Sequence, residues 1–115
     1  NSSILENTLT ITDGELSATK KLIAGSGKFI TIFFCKNCGA YIYTDYESAI
    51  GRLNVRTQTL ENSKTFPPQA HIFTKDKDEW VNLLNINNCF EKMYDPKKTW
   101  PKESLQRYQE HIRTK

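Results

Sequence analysis

A pair of cysteines on a short turn is the feature that most limits how this chain can fold. The segment Cys35-Lys36-Asn37-Cys38-Gly39 separates two runs rich in β-branched and aromatic residues, 29–34 and 40–44. Such runs favour strands, and a turn this short joins neighbouring strands in an antiparallel pair. Gly39 can take a positive φ, which tight turns often need. The sequence therefore predicts a β-hairpin with both thiols at its tip.

Further strands are predicted on both sides of this hairpin. Period-two alternation or β-branched content marks residues 8–12, 16–22, 50–55 and 70–73. Within the third of these segments, Gly51 permits a close approach of another part of the chain, or a bulge. The chain is thus predicted to be mostly antiparallel β-sheet.

Two helical segments are predicted after the strands. Asp76 or Asp78 can cap a short helical turn, which carries on one face Trp80, Leu83 and Leu84. Thr99 and Pro101 open a final helix, and its apolar stripe at helical spacing consists of Leu105, Tyr108 and Ile112. The predicted fold class is mainly β, with antiparallel strands and a short C-terminal helix.

Length and charge fit one small domain and exclude several classes of function. The chain has 115 residues, and its net charge of +3 arises from 16 basic and 13 acidic residues spread along the sequence. This even spread does not favour nucleic-acid binding, which usually relies on a clustered basic surface. The longest apolar stretch, residues 29–34, is far shorter than the ~20 residues that cross a membrane, and no secretory signal pattern is present. We expect a cytoplasmic protein without a membrane partner.

The cysteine pair predicts a metal site. Two thiolates separated by two residues can bind one tetrahedral ion from the same side, so we predict that Cys35 and Cys38 are zinc ligands. A redox dithiol and a pair of unreactive buried cysteines are the alternatives. A structural zinc ion has four protein ligands, and the further candidates are Cys89, His71 and His111, which form no second closely spaced pair. We expect Cys89 to be buried as an apolar residue, His71 to be a hydrogen-bonded structural histidine, and His111 to be solvated.

Three motifs also follow one another in a characteristic order. They are Phe34-Cys35-Lys36-Asn37-Cys38-Gly39-Ala40, then Ile50-Gly51-Arg52-Leu53-Asn54, then Pro67-Pro68-Gln69-Ala70-His71-Ile72-Phe73 with Trp80 shortly after. In order and spacing these motifs resemble the glutathione-dependent formaldehyde-activating enzyme family, which also includes centromere protein V. The strand and Asp-Gly-Glu-Leu turn of residues 9–16 look like the segment that precedes the cysteine motif in that family. The resemblance covers residues 9–90.

The resemblance implies a β-rich fold of the zinc-bearing β-tent type and a carbon-sulfur lyase activity on glutathione or a related thiol adduct. In such proteins the cysteine pair on this turn supplies half of a four-cysteine structural zinc site. On that match Cys35 and Cys38 are zinc ligands. A cysteine pair near the N-terminus supplies the other half, and three further cysteines upstream hold a catalytic zinc.

This chain departs from the family pattern because it has no cysteine before Cys35. We therefore expect residues 1–115 to form a single domain that is the C-terminal part of a longer family domain, or else a truncated descendant, and that is inactive by itself because the catalytic cysteines are missing. The zinc site would be completed by an upstream segment or by a second copy in a homo-oligomer. The alternative function is a non-catalytic, zinc-stabilised module of the same fold that binds a protein partner.

Overall fold

The computed structural model describes residues 1–83 and 87–115, and a six-stranded antiparallel sheet forms its centre. The strands are β1 Ser2–Leu5, β2 Leu16–Ala18, β3 Leu22–Ile23, β4 Phe29–Cys35, β5 Tyr41–Tyr46 and β6 Arg52–Val55. They lie in the order β1-β6-β5-β4-β2, and β3 pairs with β4 beside β2. The predicted antiparallel β class with a C-terminal helix is confirmed, whereas the zinc-bearing β-tent type stays a prediction.

The hairpin of β4 and β5 is confirmed where the sequence predicts it. The two strands pair from Ile30 with Tyr46 to Phe33 with Tyr43, and the register then shifts so that Phe34 faces Tyr41. A shift of this kind is a β-bulge, which bends the strand and changes the direction of the following side chains. The rings of Phe33 and Tyr43 stack with centroids 4.5 Å apart, which strengthens the pairing just before the cysteine turn.

The predicted strand at residues 8–12 is wrong. Residues 6–8 form a 3-10 turn and residues 9–12 are in no strand, while the unpredicted β1 at Ser2–Leu5 pairs with β6. The sheet order explains the difference. Because β1 lies at one edge of the sheet and β2 near the other, the segment between them crosses the molecule and has no neighbouring strand to pair with. The predicted strand at residues 16–22 is divided into β2 and β3, both of which pair with β4.

The segment after residue 66 contains less regular structure than predicted. Residues 70–73 form no strand, and their pairing is limited to a single parallel bridge between His71 and Cys89. The predicted helix is absent from residues 77–83. They contain a single turn, closed by a hydrogen bond of 3.1 Å from the Val81 amide to the Asp78 carbonyl. Trp80 is 78% exposed rather than packed on a helix face. Leu84 lies outside the described residues.

The chain ends in two helices, α1 at Pro96–Thr99 and α2 at Lys102–Arg113. The side chain of Asp95 accepts a hydrogen bond from the Lys97 amide and caps α1, which was not predicted. The final helix α2 is confirmed. Its Tyr108 hydroxyl donates a hydrogen bond of 2.8 Å to the Ile50 carbonyl, which holds α2 against the turn that leads into β6. No helix among the described residues is long and apolar enough to cross a membrane.

Candidate functional site

The cysteine turn is closed by two backbone hydrogen bonds. The Cys35 amide donates to the Ala40 carbonyl at 2.8 Å, and the Gly39 amide donates to the Cys35 carbonyl at 2.8 Å. Gly39 has a φ of 76°, a conformation that glycine adopts without the steric cost of a side chain. Cys35 ends β4, and Cys38 lies on the turn itself. Both thiols are therefore carried on one short loop at the tip of the hairpin, as predicted.

The start of β2 and the residue before it hold this loop from one side. Leu16 pairs with Cys35 in the β2–β4 ladder, and the Lys36 amide donates a hydrogen bond of 3.1 Å to the Glu15 carbonyl. The Lys36 ammonium also lies 3.1 Å from the Glu15 carboxylate, but both side chains are largely exposed. An exposed ion pair of this kind contributes little stability. The backbone contacts therefore do most to hold the cysteine turn in place.

The environment of Cys35 favours its thiolate form. The backbone amide of Cys38, then that of Asn37, then the Cys38 thiol form hydrogen bonds to the Cys35 sulfur, and together they hold the pKa of Cys35 below its usual value against a smaller opposing effect of burial. Hydrogen bonds to a charged group stabilise that form. A thiolate is the form that binds metals and attacks electrophiles. Cys35 is half-buried and Cys38 is exposed, so a ligand can reach the pair.

Two sulfur donors of this kind fit half of a tetrahedral zinc site. The residues that the structure describes contain no group of three or more His, Cys, Asp and Glu side chains able to hold a metal ion. The other candidate ligands therefore do not join Cys35 and Cys38 in this part of the chain. Chemically, the turn offers soft thiolate ligands, which zinc favours, but not a complete set of four.

The further candidate ligands are placed differently from what was predicted. Cys89 is exposed, so the expectation that it is buried is wrong, and it lies beside His71 in the parallel bridge. The predicted side-chain hydrogen bond of His71 is also absent, because its Nε2 is buried without a hydrogen-bond partner among the described residues. The His111 side chain is only 14% exposed and its Nε2 lies 3.3 Å from the Glu6 carboxylate. The expectation that His111 is solvated is wrong.

A second polar cluster near α2 was missed by the sequence reasoning. The Arg52 guanidinium lies over two rings, 5.2 Å from the centroid of Trp100 and 6.0 Å from that of Tyr108. These contacts join β6 to residues about fifty positions later in the chain. No local pattern in the sequence marks such a pair, so only the folded chain shows it.

A comparison with known protein families gives a match, and it spans the whole β-sheet. A family model described as "Glutathione-dependent formaldehyde-activating enzyme" matches residues 1–76, about two thirds of the chain. The chain belongs to the glutathione-dependent formaldehyde-activating enzyme family. The family match includes all six strands and the cysteine turn, but it ends before Trp80 and before both helices. No curated protein and no solved structure matches the chain.

Proposed function

We propose that the protein is a zinc-dependent carbon-sulfur lyase of this family, acting on glutathione or a related thiol adduct. In this proposal Cys35 and Cys38 supply half of a structural zinc site, and the three cysteines that hold the family's catalytic zinc have no counterpart before Cys35 in this sequence. The remaining zinc ligands come from a second copy of the chain or from a segment outside this sequence. The observation that carries the proposal is the family match over residues 1–76, which includes both cysteines.

The geometry of the cysteine turn supports the zinc part of the proposal. The hydrogen bonds at Cys35 that lower its pKa also reduce the free energy needed to deprotonate the ligand, and a metal-bound thiol must be deprotonated. Gly39, with its positive φ, closes the short turn that carries both sulfurs. A structural zinc ion has four protein ligands and no open position, so Cys35 and Cys38 contribute to folding rather than to the chemical step.

The proposed reaction balances without an oxidant or a reductant. In the synthetic direction the sulfur of glutathione attacks the carbonyl carbon of formaldehyde, a carbon-sulfur bond forms, and the thiol proton ends on the carbonyl oxygen. In the lyase direction the same bond breaks and the proton returns to sulfur. A zinc ion with an open position, when bound, lowers the pKa of a thiol or polarises a carbonyl.

Metal content of the purified protein tests the ligand assignment. We expect zinc by elemental analysis and native mass spectrometry, at one ion per two chains if two copies share a site. Cys35→Ser and Cys38→Ser should each abolish zinc binding, because a tetrahedral site missing one thiolate binds the ion far more weakly. Cys89→Ser is the matched control and should keep its zinc. Equal zinc content in all four proteins, or none in any, contradicts the assignment.

Turnover of ¹³C-formaldehyde with glutathione, followed by NMR exchange measurements, tests the lyase activity. Because the family's catalytic cysteines have no counterpart in residues 1–115, we expect these residues alone to leave the uncatalysed rate unchanged, and the same domain combined with the segment that supplies those cysteines to raise the rate of adduct formation and breakdown. An unchanged rate with that segment present contradicts the lyase proposal. That result favours the alternative of a zinc-stabilised module that binds a protein partner.

A further inference from the structure

An open cavity of about 420 Å³ lies beside the segment of residues 68–77. Its walls include the apolar side chains of Ile72, Phe73 and Leu83, together with the polar side chains of His71, Asp76 and Lys77. No residue of the cysteine turn lines it. Binding sites for small molecules have volumes of roughly 300–1,000 Å³ and combine apolar walls with a few polar groups. The cavity has the size and composition of such a site.

The backbone around this cavity is held by hydrogen bonds to a distant segment. The His71 amide donates to the Asn88 carbonyl at 2.9 Å, and the Phe90 amide donates to the His71 carbonyl at 2.9 Å. The amide of Thr74 donates to the Phe90 carbonyl at 3.1 Å. Phe73, between them, has a φ of 52° and a ψ of 37°. A left-handed conformation is unfavourable for a large side chain, and residues strained in this way are often found at binding sites.

Three polar side chains at the cavity are available to a ligand, as far as the described residues show. The Nε2 atom of His71 is buried and has no hydrogen-bond partner among the described residues. Asp76 and Lys77 line the same cavity and form no ion pair in that part of the chain. A buried polar atom without a partner costs about 1–3 kcal/mol, so a ligand that supplies the missing hydrogen bond gains affinity.

We propose that this cavity binds a small zwitterion, an α-amino acid with an apolar side chain. Its carboxylate accepts hydrogen bonds from the His71 imidazole, as the Nε2–H form, and from the Lys77 ammonium. Its own ammonium faces the Asp76 carboxylate, and its apolar side chain contacts Ile72 and Phe73. Charge-assisted hydrogen bonds of this kind are stronger than neutral ones. The site is separate from the cysteine turn and does not depend on zinc.

Titration with L-leucine and two of its analogues, followed by calorimetry and by amide shifts in NMR spectra, tests the charges on the ligand. N-acetyl-leucine lacks the ammonium and leucinamide lacks the carboxylate, while both keep the apolar side chain. We expect saturable binding of leucine, with shifts at Phe73 and Thr74, and at least about tenfold weaker binding of both analogues, since each loses one charge-assisted contact. The absence of saturable leucine binding overturns the proposal, and so does equal binding of all three molecules.

Substitutions in the cavity test the protein side of the same contacts. His71→Phe keeps a ring and removes the buried nitrogen, and Lys77→Met keeps most of the chain length and removes the charge. We expect either change to weaken leucine binding about tenfold. Lys75→Met is the matched control, since Lys75 lies on the 3-10 turn just before Lys77 but does not line the cavity. Because Lys77 is exposed, Lys77→Met keeps the test valid if His71→Phe unfolds. Unchanged affinity in a folded Lys77→Met variant overturns the proposal.

Discussion

At the scale of single residues, Gly51 decides how closely the last helix approaches the sheet. A Cβ atom at this position would lie 2.6 Å from Ile112 Cδ1 and 3.1 Å from His111 Cδ2, closer than van der Waals contact permits. Gly51 also has a φ of 77°. The sequence predicts a close approach here, because a glycine interrupts a strand pattern. It does not predict which residues approach, since they lie about sixty positions later.

Gly51→Ala should destabilise the protein by two separable effects. The positive φ alone costs an L-residue roughly 1–2 kcal/mol. The collision is with Cδ1, the end of the Ile112 side chain, which can rotate away at an added cost on the order of 1 kcal/mol. Gly27→Ala is the matched control, because Gly27 has a φ of 80° but nothing within 4 Å of its Cβ position. Urea denaturation of both variants measures the free energy of unfolding. An equal loss in the two variants contradicts the steric contribution of α2.

The candidate site was predictable only where its geometry is local. The spacing of Cys35 and Cys38 and the glycine after them are enough to place both thiols on one turn, and the structure confirms that turn. The surroundings of His71 and His111 depend on partners far along the chain, at Asn88 and at Glu6. Sequence periodicity does not report such partners, so both histidines were described wrongly.

At the scale of secondary-structure elements, strands that pair with a near neighbour were predicted and those with distant partners were not. The β4–β5 hairpin needs only the intervening turn, whereas β1 pairs with β6, some fifty residues away. Residues 8–12 alternate as a strand should, yet they connect β1 at one edge of the sheet to β2 at the other side, and they pair with no strand. Alternation shows that a segment can form a strand, but only the sheet order decides whether a partner is available.

The end of α2 is joined to the sheet through one carboxylate. Glu6 follows β1, and its carboxylate lies 2.5 Å from the Lys115 ammonium and 3.3 Å from His111 Nε2. The hydrogen bond from Lys115, then that from His111, and the positive charges of both hold the pKa of Glu6 below its usual 4.5, against an opposing effect of burial. A folded-state pKa below the unfolded one means that ionised Glu6 stabilises the fold.

Glu6→Gln should therefore remove a stabilisation that depends on pH. In the wild type this contribution is fully present above about pH 4.5, the unfolded pKa of the group, and disappears as the pH falls through the lower folded pKa. We expect the unfolding free energies of wild type and Glu6→Gln to differ at pH 6 and to converge towards pH 3, measured by urea denaturation. Glu103→Gln is the control, because Glu103 lies in the first turn of α2 and is exposed. A difference independent of pH contradicts the ion-pair explanation.

At the scale of the whole molecule, the fold buries few side chains completely. Among the described residues, Val55 is the only apolar side chain that is buried, with 4% of its surface exposed, whereas Ile23 and Trp80 are 75% and 78% exposed. The radius of gyration is 15.2 Å, compared with about 13 Å for a compact domain of this length. Because apolar burial is the main source of folding free energy, a chain with so thin a core benefits strongly from a metal ion that ties its sheet together.

Chelator sensitivity measures how far zinc at the cysteine turn supports this thin core. If Cys35 and Cys38 hold zinc in the folded state only, ion binding adds its free energy to folding, and a ligand at a hundred times its Kd adds about 2.7 kcal/mol. For a domain of this size that corresponds to a change in Tm on the order of 10 °C. We expect EDTA to lower the Tm of wild type and Cys89→Ser by this amount. Cys35→Ser and Cys38→Ser should start from the lower Tm and show no further response. Equal EDTA sensitivity in wild type and the Cys35→Ser and Cys38→Ser variants contradicts a zinc ion at the hairpin tip.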